Sequence, residues 1–201
     1  MTPAIPTLLA VAGGYVAGSM PFGYWLVRLF KHEDIRSSGS GGIGATNVWR
    51  TYGRWLGIPI VVLDVAKGFV PALVGSLLVG ELTAVLAGGA AMFGHWRPLF
   101  LRFQKGGKTV ATGGGTFLGA APVLGLIGVA VWIVVFLLSR YASLASIVAA
   151  LSLPVLAVVL GEPWPIVVFG VLAAVGVVLL HRPNIGRLRA GTESRFRLRR
   201  A

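Results

Sequence analysis

Cysteine is absent from the 201 residues, which excludes disulfides and thiolate metal sites and leaves the redox compartment unmarked. Acidic residues are scarce: six Asp and Glu stand against 18 Lys and Arg, for a formal net charge of +12. Three histidines are scattered at positions 32, 95 and 181, with no H-E-x-x-H pair, so zinc has little to bind. The nucleophile elbow G-x-S-x-G is also missing. No metal or other cofactor is expected. Charged residues of both signs make up only 12% of the chain and hydrophobic residues 56%, against about 25% and about 45–50% in an average globular protein. A soluble domain of this length could not bury so much apolar surface. Lipid is the natural solvent for the excess.

A helix crossing about 30 Å of hydrocarbon needs about 20 mostly apolar residues. The sequence predicts such spans at Ile5–Phe30, Leu56–Val79, Leu82–Trp96, Val123–Leu138, Ser143–Leu160 and Pro165–Leu180. A glycine-rich segment, Thr109–Gly119, is weak as a lone span but adequate as a half-buried one. No basic region precedes the first apolar stretch, which reads as a retained helix rather than a signal peptide. Counting the glycine-rich segment as a crossing gives seven spans. Lys31, Arg36, Arg50, Arg54, Arg97, Arg102, Lys105, Lys108, Arg140 and the tail arginines then share one side, and the opposite loops hold Glu81 and Glu162 without Lys or Arg. That partition puts the N-terminus outside and the C-terminus in the cytoplasm. With six spans it fails. The expected fold is therefore an all-α integral membrane protein of one domain, residues 1–201, with seven transmembrane helices. A short interfacial helix is expected at Val48–Trp55, where Trp49, Tyr52 and Trp55 alternate with Arg50 and Arg54.

The polar residues cluster on the side with the positive charges. The first loop runs Gly39-Ser40-Gly41-Gly42-Ile43-Gly44-Ala45-Thr46-Asn47-Val48-Trp49-Arg50. Its glycines let backbone amides approach an anion closely. Ser40, Thr46 and Asn47 add donors, and Arg50 adds a planar fork suited to phosphate. With Thr46 as the cap of the interfacial helix, the helix N-terminus would face the loop. The loop lacks the G-K-[ST] ending of a nucleotide P-loop. The second loop, Phe103 to Thr112, sets Gly106 and Gly107 between Lys105 and Lys108. Two lysines at a membrane edge serve equally as orientation signals or as anion ligands. Asp64 and Lys67, three residues apart in the second span, can pair on one helix face. They read either as a self-neutralising pair or as support for a polar site. His95, Ser143, His181, Asn184 and Arg187 are individually weak signals, but all fall on the same edge. Together these clusters imply one cytoplasm-facing site for an anion, and no nucleic-acid function, because the charge lies between apolar segments rather than on a polar domain.

Four blocks carry a family resemblance: G-S-G-x-x-G-A-T-N-V-x-R, D-V-x-K-G, G-H-x-x-P-x-F-x-x-F-x-K-G-G-K-x-V-A-T and H-x-x-N-I-x-R-L-x-x-G-x-E. In this order, with Ser19-Met20-Pro21-Phe22-Gly23, they resemble the bacterial acyl-phosphate:glycerol-3-phosphate acyltransferase family, PlsY, from about residue 15 to 195. The large glycerolipid acyltransferase family is a different one, since no His here is followed five residues later by Asp: Ser37, Phe100 and Gly186 stand there.

The resemblance implies a seven-helix enzyme of the bacterial inner membrane that acylates the 1-hydroxyl of glycerol 3-phosphate from a fatty acyl phosphate. It implies a site lined by Ser40, Thr46, Arg50, Lys108, Ser143, His181 and Asn184. The loop positions Gly41, Gly44, Asn47, Gly106 and Gly107 are expected to contribute to phosphate binding. Three departures occur: members usually carry Asn at Gly42 and Gly at Thr109, and their Ser-Ser pair is Ala142-Ser143 here. An acyl phosphate is already activated, so alignment and charge stabilisation suffice. Direct attack without an acyl-enzyme is the expected mechanism. The competing reading is a membrane carrier for a phosphate-type anion, which predicts polar groups at both faces.

Overall fold

The computed structural model describes residues 4–196. The arginines at 197, 199 and 200, counted above with the basic side, lie outside the described residues. Among the described residues every regular element is helical: α1 (Ala4–Gly18), α2 (Phe22–Lys31), α3 (Ala45–Tyr52), α4 (Arg54–Leu78), α5 (Glu81–Trp96), α6 (Val110–Ala120), α7 (Pro122–Ser139), α8 (Ala142–Val159), α9 (Trp164–Leu180) and α10 (Arg182–Arg189).

Four elements are long and apolar enough to cross a bilayer: residues 4–31 taken together, α4, α7 and α8. A fifth is reached if α9 and α10, bent by 61° at His181, count as one. Two expectations change. The first span is not one continuous helix. It breaks at Ser19–Pro21, because proline has no amide hydrogen and disfavours helical backbone in the residue before it. The interfacial helix starts and ends three residues early, at Ala45–Tyr52. Gly53, at φ 89°, ends it, and Trp55 belongs to α4. The glycine-rich segment forms α6, only 11 residues long. At about 1.5 Å per residue it reaches roughly half the hydrocarbon thickness.

The packing follows lipid rules. Large side chains face outward, among them Leu8, Leu9, Leu77, Leu78, Leu138 and Val159, while Ala72, Ala84, Ala87, Ala91, Ala145 and Ala157 are buried between helices. Without a hydrophobic drive between helices in lipid, close backbone approach supplies the contact. α4 against α6 is the closest case. A methyl group on Gly68 would sit 1.9 Å from the Thr112 carbonyl oxygen, and one on Gly115 would sit 2.0 Å from that of Val65. α6, short and poor in large side chains, is thus wedged against α4, with α5 and α7 on its other sides.

One polar cluster is buried inside the bundle. Lys67 Nζ on α4 lies 2.8 Å from Asp64 Oδ1, 2.6 Å from His95 Nδ1 on α5, and 3.2 Å from the Met20 carbonyl oxygen at the break in the first span. All three side chains are at most 5% exposed. The pairing of Asp64 with Lys67 matches the helix-face spacing read from the sequence.

Candidate active site

The first loop is shaped by one side chain. Asn47 is buried, and its Oδ1 accepts the Ser40 amide at 2.9 Å. Its Nδ2 donates to the carbonyls of Ser38 at 3.0 Å and Gly42 at 2.8 Å. Its donors and acceptor are thereby spent on the loop, so it organises the turn rather than reaching outward. Gly39 and Gly41 take left-handed φ values of 60° and 68° within it. Thr46 is not the cap of α3: Gly44 holds that position without a side-chain hydrogen bond, and Thr46 is the second helical residue. Thr46 and Ser40 are both exposed. The amides of Ala45 and Thr46 precede the first amide bonded within the helix, that of Asn47 to the Gly44 carbonyl.

The second loop docks on α5. The Gly106 amide donates to the Trp96 carbonyl at 2.9 Å and the Gly107 amide to that of His95 at 3.0 Å. A methyl group at Gly106 would meet the His95 carbonyl oxygen at 2.1 Å, and one at Gly107 the His95 Nε2 at 1.9 Å. The glycine pair therefore lets the loop lie on His95, with both amides already bonded. Just beyond it stands Lys108. The two loops are neighbours: Arg36 Nη1 donates to Gln104 Oε1 at 2.7 Å, and a methyl group at Gly42 would lie 3.9 Å from the Gly106 carbonyl oxygen.

The third contribution comes from the helix bend and the segment after it. Lys108 Nζ donates to Asn184 Oδ1 at 2.6 Å. Asn184 Nδ2 and Ser143 Oγ each donate to Glu193 Oε1 at 2.7 Å, and Arg187 Nε donates to Glu193 Oε2 at 2.6 Å. Arg50 Nη2 donates to the Ser194 carbonyl at 2.9 Å, and its guanidinium lies over the Phe196 ring. His181, buried at the junction of α9 and α10, has Nδ1 2.8 Å from the Val177 carbonyl oxygen. That nitrogen therefore carries the hydrogen and Nε2 keeps a free lone pair.

Sequence regions 36–50, 104–109, 143 and 181–194 thus meet at one end of the bundle. The electrostatics are those of a crowded cationic site. Burial, opposed by Glu193 and reinforced by Arg187, Arg50 and Lys105, brings the Lys108 ammonium down to about 8. For Glu193, burial favours the neutral acid, but donors from Asn184, Ser143 and Arg187 outweigh it and hold the carboxyl below its usual range. Arg187 was expected at this edge as a weak signal, whereas Glu193 was not among the expected site residues, although it closes the last motif block. The available signal was Glu193 as the one acid in a tail otherwise rich in arginine.

A helical membrane protein with a phosphate-compatible cationic site at one membrane edge is the class these features define. The chain belongs to the glycerol-3-phosphate acyltransferase family, whose model matches residues 8–191. It is 46% identical over 197 residues to the glycerol-3-phosphate acyltransferase of Desulforudis audaxviator, covering 98% of this chain and 99% of that one. It is 45% identical to that of Rhodospirillum rubrum, covering 98% and 94%. The crystal structure of PlsY (YgiH), an integral membrane glycerol 3-phosphate acyltransferase, in its glycerol 3-phosphate form, superposes with a TM-score of 0.91 at 38% identity over 96% of each chain. Its lysophosphatidic acid form gives 0.88 at 36% identity, again over 96% of each.

Proposed function

We propose that this protein transfers a fatty acyl group from an acyl phosphate to the 1-hydroxyl of glycerol 3-phosphate, releasing lysophosphatidic acid and phosphate. The observation that carries the reading is the convergence of Arg50, Lys108, Ser143 and Asn184 from four separate stretches of chain at one end of an apolar bundle. Both substrates bear phosphate, and a fork, an ammonium and neutral donors are the groups that hold it. Ser40, Thr46 and the first amides of α3 supply the open side of the same site. Gly41, at a left-handed φ of 68°, lets the loop turn, and Gly44 is the cap from which α3 begins. Asn47, Gly106 and Gly107 act by holding the two loops in place.

The glycerol hydroxyl attacks the acyl carbonyl directly. A new ester C–O bond forms, the anhydride C–O bond breaks, and phosphate leaves. The hydroxyl proton passes to His181 Nε2 or to the departing phosphate. Ser143 donates to Glu193, but the donors from Asn184 and Arg187 hold that carboxyl below its usual range, which makes it a weak base for turning Ser143 into a nucleophile. The acyl chain lies among the apolar helices.

The topology belongs to the same proposal. The chain crosses seven times, with residues 4–31 as the first crossing and α4 to α9 as the rest. α6, eleven residues long, is the short crossing of the seven, packed against α4, α5 and α7. The basic loops and the site then face the cytoplasm from the bacterial inner membrane.

The test is purified protein in detergent or lipid, incubated with glycerol 3-phosphate and either palmitoyl phosphate or palmitoyl-CoA. Lysophosphatidic acid from the acyl phosphate alone is expected. Product from palmitoyl-CoA alone overturns the donor assignment. Mass spectrometry that trapped an acyl group on Ser40 or Ser143 overturns direct attack.

A further inference from the structure

We infer that Asp64, Lys67 and His95 form a positioning triad that sets the depth of the Lys108 loop, and that the Gly106-Gly107 pair exists to receive it. The inference rests on the reading of Lys108 as a phosphate ligand.

Lys67 has three ammonium hydrogens and three acceptors: Asp64 Oδ1 at 2.8 Å, His95 Nδ1 at 2.6 Å and the Met20 carbonyl at 3.2 Å. An ammonium only donates, so His95 Nδ1 accepts, and the imidazole carries its hydrogen on Nε2. One side chain thereby joins α4, α5 and the break between α1 and α2. The ring orientation fixed by Lys67 turns Nε2 toward Gly107, where a single methyl group would fall 1.9 Å away. The backbone of the same histidine accepts the Gly107 amide. His95 therefore bonds Gly107 through its carbonyl and lies against it with its ring, and the next residue is Lys108, bonded to Asn184.

The arrangement is unlike a plain neutralised pair. Asp64 and Lys67 could neutralise each other within α4 alone, as their spacing already allows. Recruiting a histidine from another helix into the bundle costs further desolvation, which its neutral form and the bond from Lys67 to Nδ1 reduce. The gain is rigidity under a loop that two backbone hydrogen bonds tie to α5. A preorganised ligand group lowers the ordering cost of binding substrate.

Four variants test this: His95→Ala, His95→Asn, Gly107→Ala and the double variant H95A/G107A. Each is purified in detergent and checked for folding by size exclusion and thermal unfolding. kcat and KM for glycerol 3-phosphate are then measured with palmitoyl phosphate. Gly107→Ala is expected to lose about 100-fold in kcat/KM, because the methyl group displaces the loop. In the His95→Ala background the same substitution is expected to change kcat/KM by less than threefold, because its obstacle is gone. His95→Ala is expected to raise KM at least tenfold. His95→Asn, which keeps an acceptor where Nδ1 stands, is expected to recover most of that loss. Gly107→Ala with wild-type kinetics, or with an equal penalty in both backgrounds, overturns the inference. If His95→Ala does not fold, His95→Asn with raised KM and Gly107→Ala with unchanged KM overturn it instead. Lys108→Ala separates the levels. An inactive Lys108→Ala beside an unaffected Gly107→Ala leaves the ligand reading standing and removes the triad. An active Lys108→Ala removes both.

Discussion

Lys108 gives the sharpest prediction, because its charge is set by the site. Burial and neighbouring cations hold its ammonium at about 8, against an ordinary value of 10.5. Glycerol 3-phosphate loses its second phosphate proton near pH 6, so above pH 7 its own charge is constant. kcat/KM reports groups on the free enzyme. Raising the pH from 7 to 9 takes Lys108 from about nine-tenths charged to about one-tenth. kcat/KM for glycerol 3-phosphate should fall by about an order of magnitude over that interval, and by about another from pH 9 to 10. Bound phosphate favours the charged lysine, so the fall in kcat should begin at higher pH. The assay is initial-rate production of lysophosphatidic acid from palmitoyl phosphate, with non-enzymatic hydrolysis of the donor subtracted at each pH.

Unfolding does not produce the same limb. Lys108 binds fewer protons folded than unfolded between pH 8 and 10.5, so in that window its contribution to stability rises with pH. Activity and stability therefore move in opposite directions with respect to this group. Lys108→Arg should remove the limb, since a guanidinium stays charged throughout, although its different shape lowers the absolute rate. A wild-type kcat/KM flat to pH 10, or a Lys108→Arg limb identical to wild type, refutes the reasoning.

Arg50→Ala should cut kcat/KM at least 100-fold, while thermal unfolding changes little, because its protein contacts are one tail carbonyl and one tail ring. Gly42→Asn, which restores the residue usual in the family, should fold normally, since a methyl group there meets nothing nearer than Ser40 Oγ at 3.7 Å. It should lower KM for glycerol 3-phosphate by adding a donor beside Ser40. Thr109 holds a left-handed φ of 63° as the cap of α6, a conformation costing a residue with a side chain about 1–2 kcal/mol. Thr109→Gly should therefore leave activity within about twofold and stability within about 1 kcal/mol, the relieved strain being offset by added chain freedom. A loss of folding in that variant would show that the buried threonine side chain matters more than its backbone.

Much of the molecule is legible in its sequence. Apolar run length located the helices to within a few residues, because a bilayer sets a minimum length and the polar loops interrupt it sharply. The i, i+3 spacing gave the Asp64–Lys67 pair, which is a local property of one helix. The motif blocks gave the candidate residues. Local reading failed where a residue's partner is remote in sequence. Thr46 looked like a cap by type, but Gly44 occupies that position. Asn47 looked like a ligand donor, yet its hydrogen bonds close the Ser38–Gly42 turn. The glycines at 106 and 107 were expected to contribute to phosphate binding, yet their amides are bonded to α5.

The sequence by itself determined that this chain is a helical membrane protein, where its helices run, and which residue types gather between them, because apolar length and residue chemistry are local. Only the tertiary structure decided which of those residues touch one another. Glu193 gathers Ser143, Asn184 and Arg187, and His95 sits under Gly107, because helix packing brings together positions separated by up to 50 residues in the first case and by twelve in the second. No periodicity along the chain encodes contacts of that kind.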